Sequence, residues 1–128
     1  MVYNVFLSFA MEDKALVDLF RGQARNERLP LEFRDHSIKE PFDRAWKTQC
    51  EEKIRRCSIT ICLVSNNTYR SEAVNWEIRK SVELGKSLMG VYLVDGYPSL
   101  PEALRENSIT PVRWKMDQIM NEIRRVAP

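Results

Sequence analysis

The sequence predicts an α/β fold in which a five-stranded parallel sheet is covered by helices on both faces. Short runs rich in β-branched and aromatic residues alternate with segments whose apolar residues recur every three or four positions. This alternation is typical of βαβ units, which build parallel sheets. The most apolar run, residues 58–64, lacks polar alternation and therefore indicates a central strand buried on both faces. The expected strand order is 2-1-3-4-5, as in flavodoxin-like three-layer sandwiches, with residues 1–128 forming a single domain.

The elements follow one another from strand to helix along the whole chain. The expected strands are residues 2–9, 31–34, 58–64, 88–94 and a short edge strand at 108–112, which Pro111 weakens. The expected helices are residues 14–25, 45–56, 72–84 and 115–126. A polar, turn-rich loop at 35–43 separates the second strand from the second helix, and Pro41 argues against a helix there.

Helical periodicity predicts which side chains face the core. The expected core-facing residues are Leu16, Leu19, Phe20 and then Gln23-Ala24 in the first helix, and Val74, Ile78 and Val82 in the third. Asp13 is expected to cap the first helix, and Gly85 stands where a helix commonly ends.

The composition limits which classes of ligand the protein can bind and indicates the cellular compartment in which it works. Lys and Arg number 20 against 18 Asp and Glu, so a net charge of +2 does not predict binding to nucleic acid. No apolar run reaches the roughly 18 residues of a membrane span, and no basic leader precedes the first strand. Three cysteines without CxxC spacing indicate reduced thiols in a cytoplasmic protein. A single histidine cannot build a His-rich zinc site, and we expect neither a metal nor a prosthetic group.

Several nucleotide and catalytic sites are excluded by missing motifs. The chain has no GxGxxG, no GxxxxGK[ST] and no GxSxG, and its four glycines form no phosphate-binding loop. A phosphoacceptor domain needs an acidic cluster after strand 1 and an Asp after strand 3, but Ser8-Phe9 and Ser65-Asn66 stand there.

After these exclusions, the sequence still predicts a binding cleft built around one acidic residue, Glu77. Ligands of such sheets bind beyond the carboxyl ends of the strands, here at residues 8–12, 35–43, 65–69 and 95–98. Glu77 lies on the second turn of the third helix, about 60° from Val74 at ~100° per residue, and so flanks the buried stripe. A partly desolvated carboxylate there can bind a ribose or stabilise an oxocarbenium ion. The alternative, an ordinary solvated helix acid, stays open.

Three segments, VFLSFAMEDKAL, FRDHSIKEPFDRAW and SITICLVSNNTYRSEAVNWEIRKSVELGKSLMGVYL, together resemble TIR-like domains over residues 2–95. The most similar branch is the stand-alone prokaryotic TIR-like proteins, which include the Thoeris antiphage-defence TIR proteins. The resemblance implies a flavodoxin-like fold and cleavage of NAD+ at the nicotinamide–ribose bond, giving ADP-ribose, a cyclic ADP-ribose isomer or a related signal nucleotide. In Thoeris systems that signal activates a separate effector protein.

The resemblance also implies roles for individual residues. Glu77 matches the catalytic Glu, Asp35 matches the acid after strand 2, and Trp46 matches an aromatic residue that stacks on the nucleotide. Trp46 is equally well explained as a core anchor of the second helix. The residues implied in the NAD pocket after strand 1 are Ser8, Phe9, Ala10 and Met11. Ser37 and Lys39 are placed to reach phosphate or ribose oxygens, or are simply solvated.

One departure from the family pattern keeps other functions open. Many enzymatic TIR domains carry a Trp four residues before the catalytic Glu, but this chain has Ala73 there and Trp76 beside the acid. The chain is therefore either an enzyme with a different pocket wall or a non-catalytic module that self-associates, with Trp76 and residues 35–43 as contacts. A third interpretation is an enzyme similar to nucleoside deoxyribosyltransferases. We expect homo-oligomeric assembly in either of the first two cases.

Overall fold

The computed structural model describes residues 1–35, 39 and 43–128. Within them, four parallel strands form one sheet in the order β2-β1-β3-β4. The strands are β1 (Tyr3–Ser8), β2 (Leu31–Arg34), β3 (Ile59–Val64) and β4 (Ser87–Tyr92). The predicted parallel α/β sheet and the order of its first four strands are confirmed. As predicted, β3 is central and every one of its residues is buried.

The expected fifth strand is reduced to a single parallel bridge between Val91 and Val112. The Val112 amide donates to the Gly90 carbonyl and the Tyr92 amide donates to the Val112 carbonyl, both at 2.9 Å. Pro111 has no amide hydrogen to donate, so the pairing does not extend back along the chain.

Helices cover the sheet on both faces and complete three layers. They are α1 (Lys14–Asn26), α2 (Arg44–Arg55), α3 (Glu72–Glu83), α4 (Glu102–Glu106) and α5 (Met116–Val126), with single 3-10 turns at Met11–Asp13 and Thr68–Arg70. Val5 and Leu7 of β1 pack with α1 and α5, whereas Phe6 packs with α2. Because side chains alternate along a strand, Ser8 is directed to the same face as Phe6, where α2 and α3 lie.

The structure corrects two predicted core positions. Leu19 is 64% exposed, because the buried stripe of α1 runs through Val17, Phe20 and Ala24. Val82 is 41% exposed, and Ser81 is buried in its place. At ~100° per residue, position 81 returns to within about 20° of Val74, whereas position 82 is rotated by about 80°.

No helix in the described part of the chain combines the length and the apolar character that a transmembrane span requires.

Candidate functional site

Glu77 lies at the meeting point of α3 and the carboxyl end of β1. Ser71 caps α3 by accepting a hydrogen bond from the Val74 amide at 3.2 Å, which places Glu77 on the second turn. The Ser8 hydroxyl donates to Glu77 Oε1 at 2.6 Å, across 69 positions of sequence. The Glu77 side chain is wholly buried, so the sequence-based expectation of a partly desolvated acid underestimated its burial.

The second carboxylate oxygen of Glu77 is held by Lys39 and Cys50. Lys39 Nζ donates to Oε2 at 2.8 Å, and only 5% of the Lys39 side chain is exposed. The same ammonium group lies 4.7 Å from the ring centroid of Phe9, in cation–π contact. The Cys50 thiol donates to Oε2 at 3.6 Å. The carboxylate is therefore enclosed by one cation, one hydroxyl and one thiol.

The electrostatics of this cluster follow from its burial. Loss of water raises the pKa of Glu77 above its ordinary value of 4.5, and this effect outweighs the opposing attraction of Lys39 and the hydrogen bonds from Lys39, Ser8 and Cys50. Burial, reinforced by the neighbouring Glu77, also raises the pKa of the Cys50 thiol, so Cys50 stays protonated and acts as a donor. The cluster thus contains a carboxyl group whose pKa is higher than that of a solvated one.

The backbone carbonyl of Glu77 is held by a hydrogen bond from a side chain one turn further along α3. The Ser81 hydroxyl donates to the Glu77 carbonyl at 2.8 Å and lies 2.7 Å from the Thr60 hydroxyl of β3. All three groups are buried, so this turn of α3 is tied to the central strand.

Asp43 positions the part of α2 that reaches Glu77. Its side chain accepts hydrogen bonds from the amides of Ala45 and Trp46, at 2.7 and 3.1 Å, and so caps the helix. Cys50 and Trp46 are then one turn apart on the buried face of α2, and both pack against Phe6.

Four of the residues predicted for the site come together. Glu77 and Ser8 are hydrogen-bonded, and Phe9 contacts Lys39, which donates to Glu77. The contact of Lys39 with phosphate or ribose stays a prediction. Ala10 is buried beside Phe9, and Met11 is exposed at the start of the 3-10 turn.

Asp35 and Trp46 have contacts other than a direct one with Glu77. The Asp35 carboxylate forms an ion pair with Arg21, and its carbonyl accepts from Lys53 Nζ at 3.0 Å. Trp46 is buried in the cluster of Phe6 and Cys50, which is the core-anchor position. Ser37 lies outside the described residues. The nucleotide-binding roles of these three residues stay predictions.

The expected role of Asp13 is corrected. Its side chain does not cap α1 but is buried, accepting from the Ser65 hydroxyl at 2.5 Å and from Asn67 Nδ2 at 3.2 Å. The Thr68 hydroxyl accepts a hydrogen bond from the Ser65 amide and donates one to the Leu63 carbonyl. This network joins the loops that follow β1 and β3. The only sequence signal for it was the polar run after the third strand.

The aromatic residues near α3 account for the departure at Ala73. Ala73 is buried in the cluster that contains Trp46 and Cys50. Trp76 is half-buried, and its ring lies 5.3 Å from that of Trp46. Trp76 also lies within cation–π distance of Lys47 and Lys80. Two indole rings therefore cover this flank of the site without a Trp at position 73.

Three cavities, of about 540, 430 and 290 Å³, lie along α1, and none of them is lined by Glu77. Within the residues that the structure describes, no group of three or more His, Cys, Asp or Glu side chains is arranged to hold a metal ion.

The parallel sheet with β1 next to β3, and the buried Glu from the helix after β3 at the end of β1, fit the TIR-like domain that the sequence resembles. The family model described as "Thoeris protein ThsB, TIR-like domain" matches residues 6–96. The chain belongs to this family. No curated protein matches the sequence.

Solved structures share the fold at low sequence identity. The RPS4 and RRS1 TIR domain heterodimer superposes with a TM-score of 0.60 at 12% identity, covering 98% of this chain and 97% of that one. The Clostridium botulinum CMP N-glycosidase BcmB gives 0.51 at 16% identity, covering 94% and 97%. The TIR domains of the activated Roq1 resistosome give 0.52 at 21% identity over 70% of this chain, which spans 57% of that chain.

Proposed function

We propose that this protein cleaves NAD+ at the nicotinamide–ribose bond, with Glu77 as the catalytic carboxylate. The observation that carries the proposal is the setting of Glu77, which is wholly buried at the end of β1, receives a hydrogen bond from Ser8 and has a raised pKa. Acids with perturbed pKa values at the carboxyl ends of parallel strands are typical of functional sites. Membership of a TIR-like family supports the same activity.

The chemistry requires one well-placed negative charge. When the bond between C1′ of the ribose and the pyridinium nitrogen breaks, both bonding electrons go to the nitrogen, and nicotinamide leaves as a neutral molecule. The sugar becomes an oxocarbenium ion, which the ionised Glu77 stabilises while it holds the ribose hydroxyls. Water then attacks C1′ and loses a proton to give ADP-ribose, or a nucleophilic atom of the ADP-ribose itself attacks and closes a ring.

Binding of the ribose requires an exchange of partners at Glu77. Lys39 Nζ holds Oε2 in the described arrangement, so the ribose hydroxyls must take the place of this ammonium group. A lysine displaced from Glu77 has the charge needed to contact the diphosphate of NAD+. Ser8 remains on Oε1 and keeps the carboxylate oriented.

Membership of the family supports a wider role for the protein. We infer that the protein acts in antiphage defence, making a cyclic ADP-ribose-type messenger that a separate effector recognises. The three free, buried cysteines support a reducing compartment, and we place the protein in the cytoplasm. The fold relatives whose names describe a heterodimer and a resistosome support assembly through copies of the domain. BcmB, named as an N-glycosidase, acts on the same class of bond as the one proposed here.

The test is release of nicotinamide from NAD+, followed by chromatography with mass detection of the products. Glu77→Gln keeps the shape of the side chain but removes the charge, and it should abolish release. Glu72→Gln is the matched control, because Glu72 is an exposed acid on the first turn of the same helix. Equal turnover by wild type and Glu77→Gln would exclude the proposed catalytic role.

A second candidate, a non-catalytic assembly module, is favoured by the complete enclosure of Glu77 and its pairing with Lys39. Buried ion pairs also occur as purely structural features. The two candidates separate in one experiment: an assembly module releases no nicotinamide at any protein concentration, whereas an enzyme activated by assembly gains activity as the concentration rises.

A further inference from the structure

One of the three cavities lies at the carboxyl end of β4, and Glu77 is not among the residues that line it. Its volume is about 540 Å³, within the ~300–1,000 Å³ range of small-molecule sites. The end of β4, the segment before α5 and one residue of α1 line it. The residues that matter below are Gln23, Tyr92, Asp95, Arg113, Trp114 and Lys115. Trp114 packs against the core on the α1 and α5 side, and Tyr92 packs with Val74 of α3 on the other face. Glu77 does not line the cavity, so the two sites are separate.

Arg113 is held in this cavity by aromatic rings. Its guanidinium carbon lies 4.6 Å from the ring centroid of Tyr92 and 4.5 Å from that of Tyr97, and the two rings are perpendicular. No carboxylate within the described ranges pairs with Arg113. A guanidinium has five N–H donors, so contact with two ring faces leaves part of them available to a ligand. Arg113 is thus a pre-oriented cation whose donors have no acidic partner among the residues described.

A second cation and the start of a helix reinforce the positive character. Lys115 is exposed, lines the same cavity and has no carboxylate partner in the part of the chain described. It is also the N-cap of α5, and no side chain caps that end of the helix. Free amide groups and the helix dipole favour an anion at such a position.

Two further lining residues provide an aromatic surface and a hydrogen-bond acceptor, namely Trp114 and Asp95. The Trp114 indole is fixed by its Nε1, which donates to Gln23 Oε1 at 2.9 Å, and by the Phe20 ring at 5.8 Å. Fixed indole faces stack well on heteroaromatic bases. Asp95 offers a carboxylate that accepts hydrogen bonds from hydroxyl or amino groups.

We propose that this cavity is a binding site for a nucleoside phosphate. The phosphate lies on Arg113 and Lys115, the base packs against Trp114, and Asp95 accepts from the sugar or from an exocyclic amino group. An inorganic anion uses only the first of these contacts, and an uncharged nucleoside only the others. The site is independent of NAD+ cleavage at Glu77 and stands whether or not that activity is found.

The test uses the three tryptophan indole N–H signals in a ¹H–¹⁵N spectrum of the labelled protein, titrated with AMP. The Trp114 signal, assigned with a Trp114→Phe variant, should move, while those of Trp46 and Trp76 stay in place. Arg113→Ala should weaken AMP binding roughly tenfold or more, the loss expected when a charge-assisted hydrogen bond is removed. Arg124→Ala, which removes the same charge from an exposed position of α5, should leave the affinity unchanged.

Adenosine and inorganic phosphate separate the two halves of the ligand, and both should bind more weakly than AMP. Three results would overturn the proposal: no shift of the Trp114 signal up to about 5 mM AMP, where even millimolar affinity registers; equal affinity for phosphate and AMP; or unchanged affinity in a folded Arg113→Ala protein. If Arg113→Ala fails to fold, Lys115→Ala changes an exposed residue and must then weaken binding.

Discussion

The ammonium nitrogen of Lys39 lies 2.8 Å from Oε2 of Glu77, although the Lys39 side chain is only 5% exposed and the Glu77 side chain not at all. This pair connects the loop after β2 to the helix after β3. An isolated charge at either position would be costly, because the Glu77 side chain is fully buried and the Lys39 side chain nearly so. The loop and the acid are therefore coupled energetically as well as in space.

Loss of Lys39 should destabilise the fold through Glu77. Lys39→Met keeps an unbranched apolar chain but leaves the carboxyl group without its cation, and we expect a loss of about 3 kcal/mol in the free energy of unfolding. Adding Glu77→Gln should restore much of that loss. Urea denaturation of the two single variants and the double variant measures the coupling, and strictly additive effects would contradict it. Lys14→Met, which breaks a surface ion pair with Asp18, should stay close to wild type.

Burial of Glu77 should make stability depend on pH with a defined sign. Its pKa is raised in the folded protein, so the folded state holds the proton more tightly than the unfolded chain. The stabilisation is complete below the ordinary value of 4.5 and is lost as the pH rises through the raised pKa. The unfolding free energy of wild type minus that of Glu77→Gln should therefore fall with increasing pH across this window. A difference in unfolding free energy that rises with pH would contradict a raised pKa of Glu77.

Two glycines provide a steric comparison in the same fold. A Cβ on Gly90 would lie 3.0 and 3.1 Å from side-chain carbons of Pro111, so Gly90→Ala should lower stability by about 1–3 kcal/mol. Gly22 lies within α1 and has no atom within 4 Å of an added Cβ, so Gly22→Ala should raise stability by about 0.5–1 kcal/mol. Thermal or urea unfolding of both variants checks the prediction. Shifts in the same direction would contradict the packing at β4.

Ser8 should lower the pKa of Glu77 as well as orient its carboxylate. Ser8→Ala removes the donor to Oε1, which favours the protonated form and raises the pKa of Glu77 further. If the ionised acid cleaves NAD+, the rising limb of the kcat/KM profile moves to higher pH. Ser87→Ala is the matched control, because the Ser87 hydroxyl donates to the Val126 carbonyl at 2.6 Å, at the end of α5. An unshifted profile in Ser8→Ala would separate Ser8 from the catalytic group.

The sequence predicted the elements well because their signals are local. The alternation of buried strands with amphipathic helices predicts the parallel sheet, and a resemblance in sequence pointed to Glu77. The wrong core assignments arose because the apolar residues of a helix do not always follow its period of 3.6 residues per turn. A spacing of eight from Val74 placed Val82 in the core, whereas the helix buries Ser81, whose hydroxyl contacts Thr60.

The contacts that define the site could not be predicted, because they depend on three-dimensional neighbours. Lys39 reaches Glu77 across 38 positions, and Asp13 meets Ser65 across 52. Nothing in the local sequence separates a lysine that pairs with a buried acid from one that is solvated. Asp13 has the position of a helix cap, and only the fold shows that the loop after β3 takes its carboxylate instead.

The proposed cleavage of NAD+ at Glu77 is best tested by following NAD+ loss against protein concentration for wild type and Glu77→Gln. We expect wild type to consume NAD+, more strongly per molecule as the concentration rises, and Glu77→Gln to consume none. Persistence of NAD+ with wild type at every concentration, or consumption by the variant at the wild-type rate, would rule out the proposed cleavage.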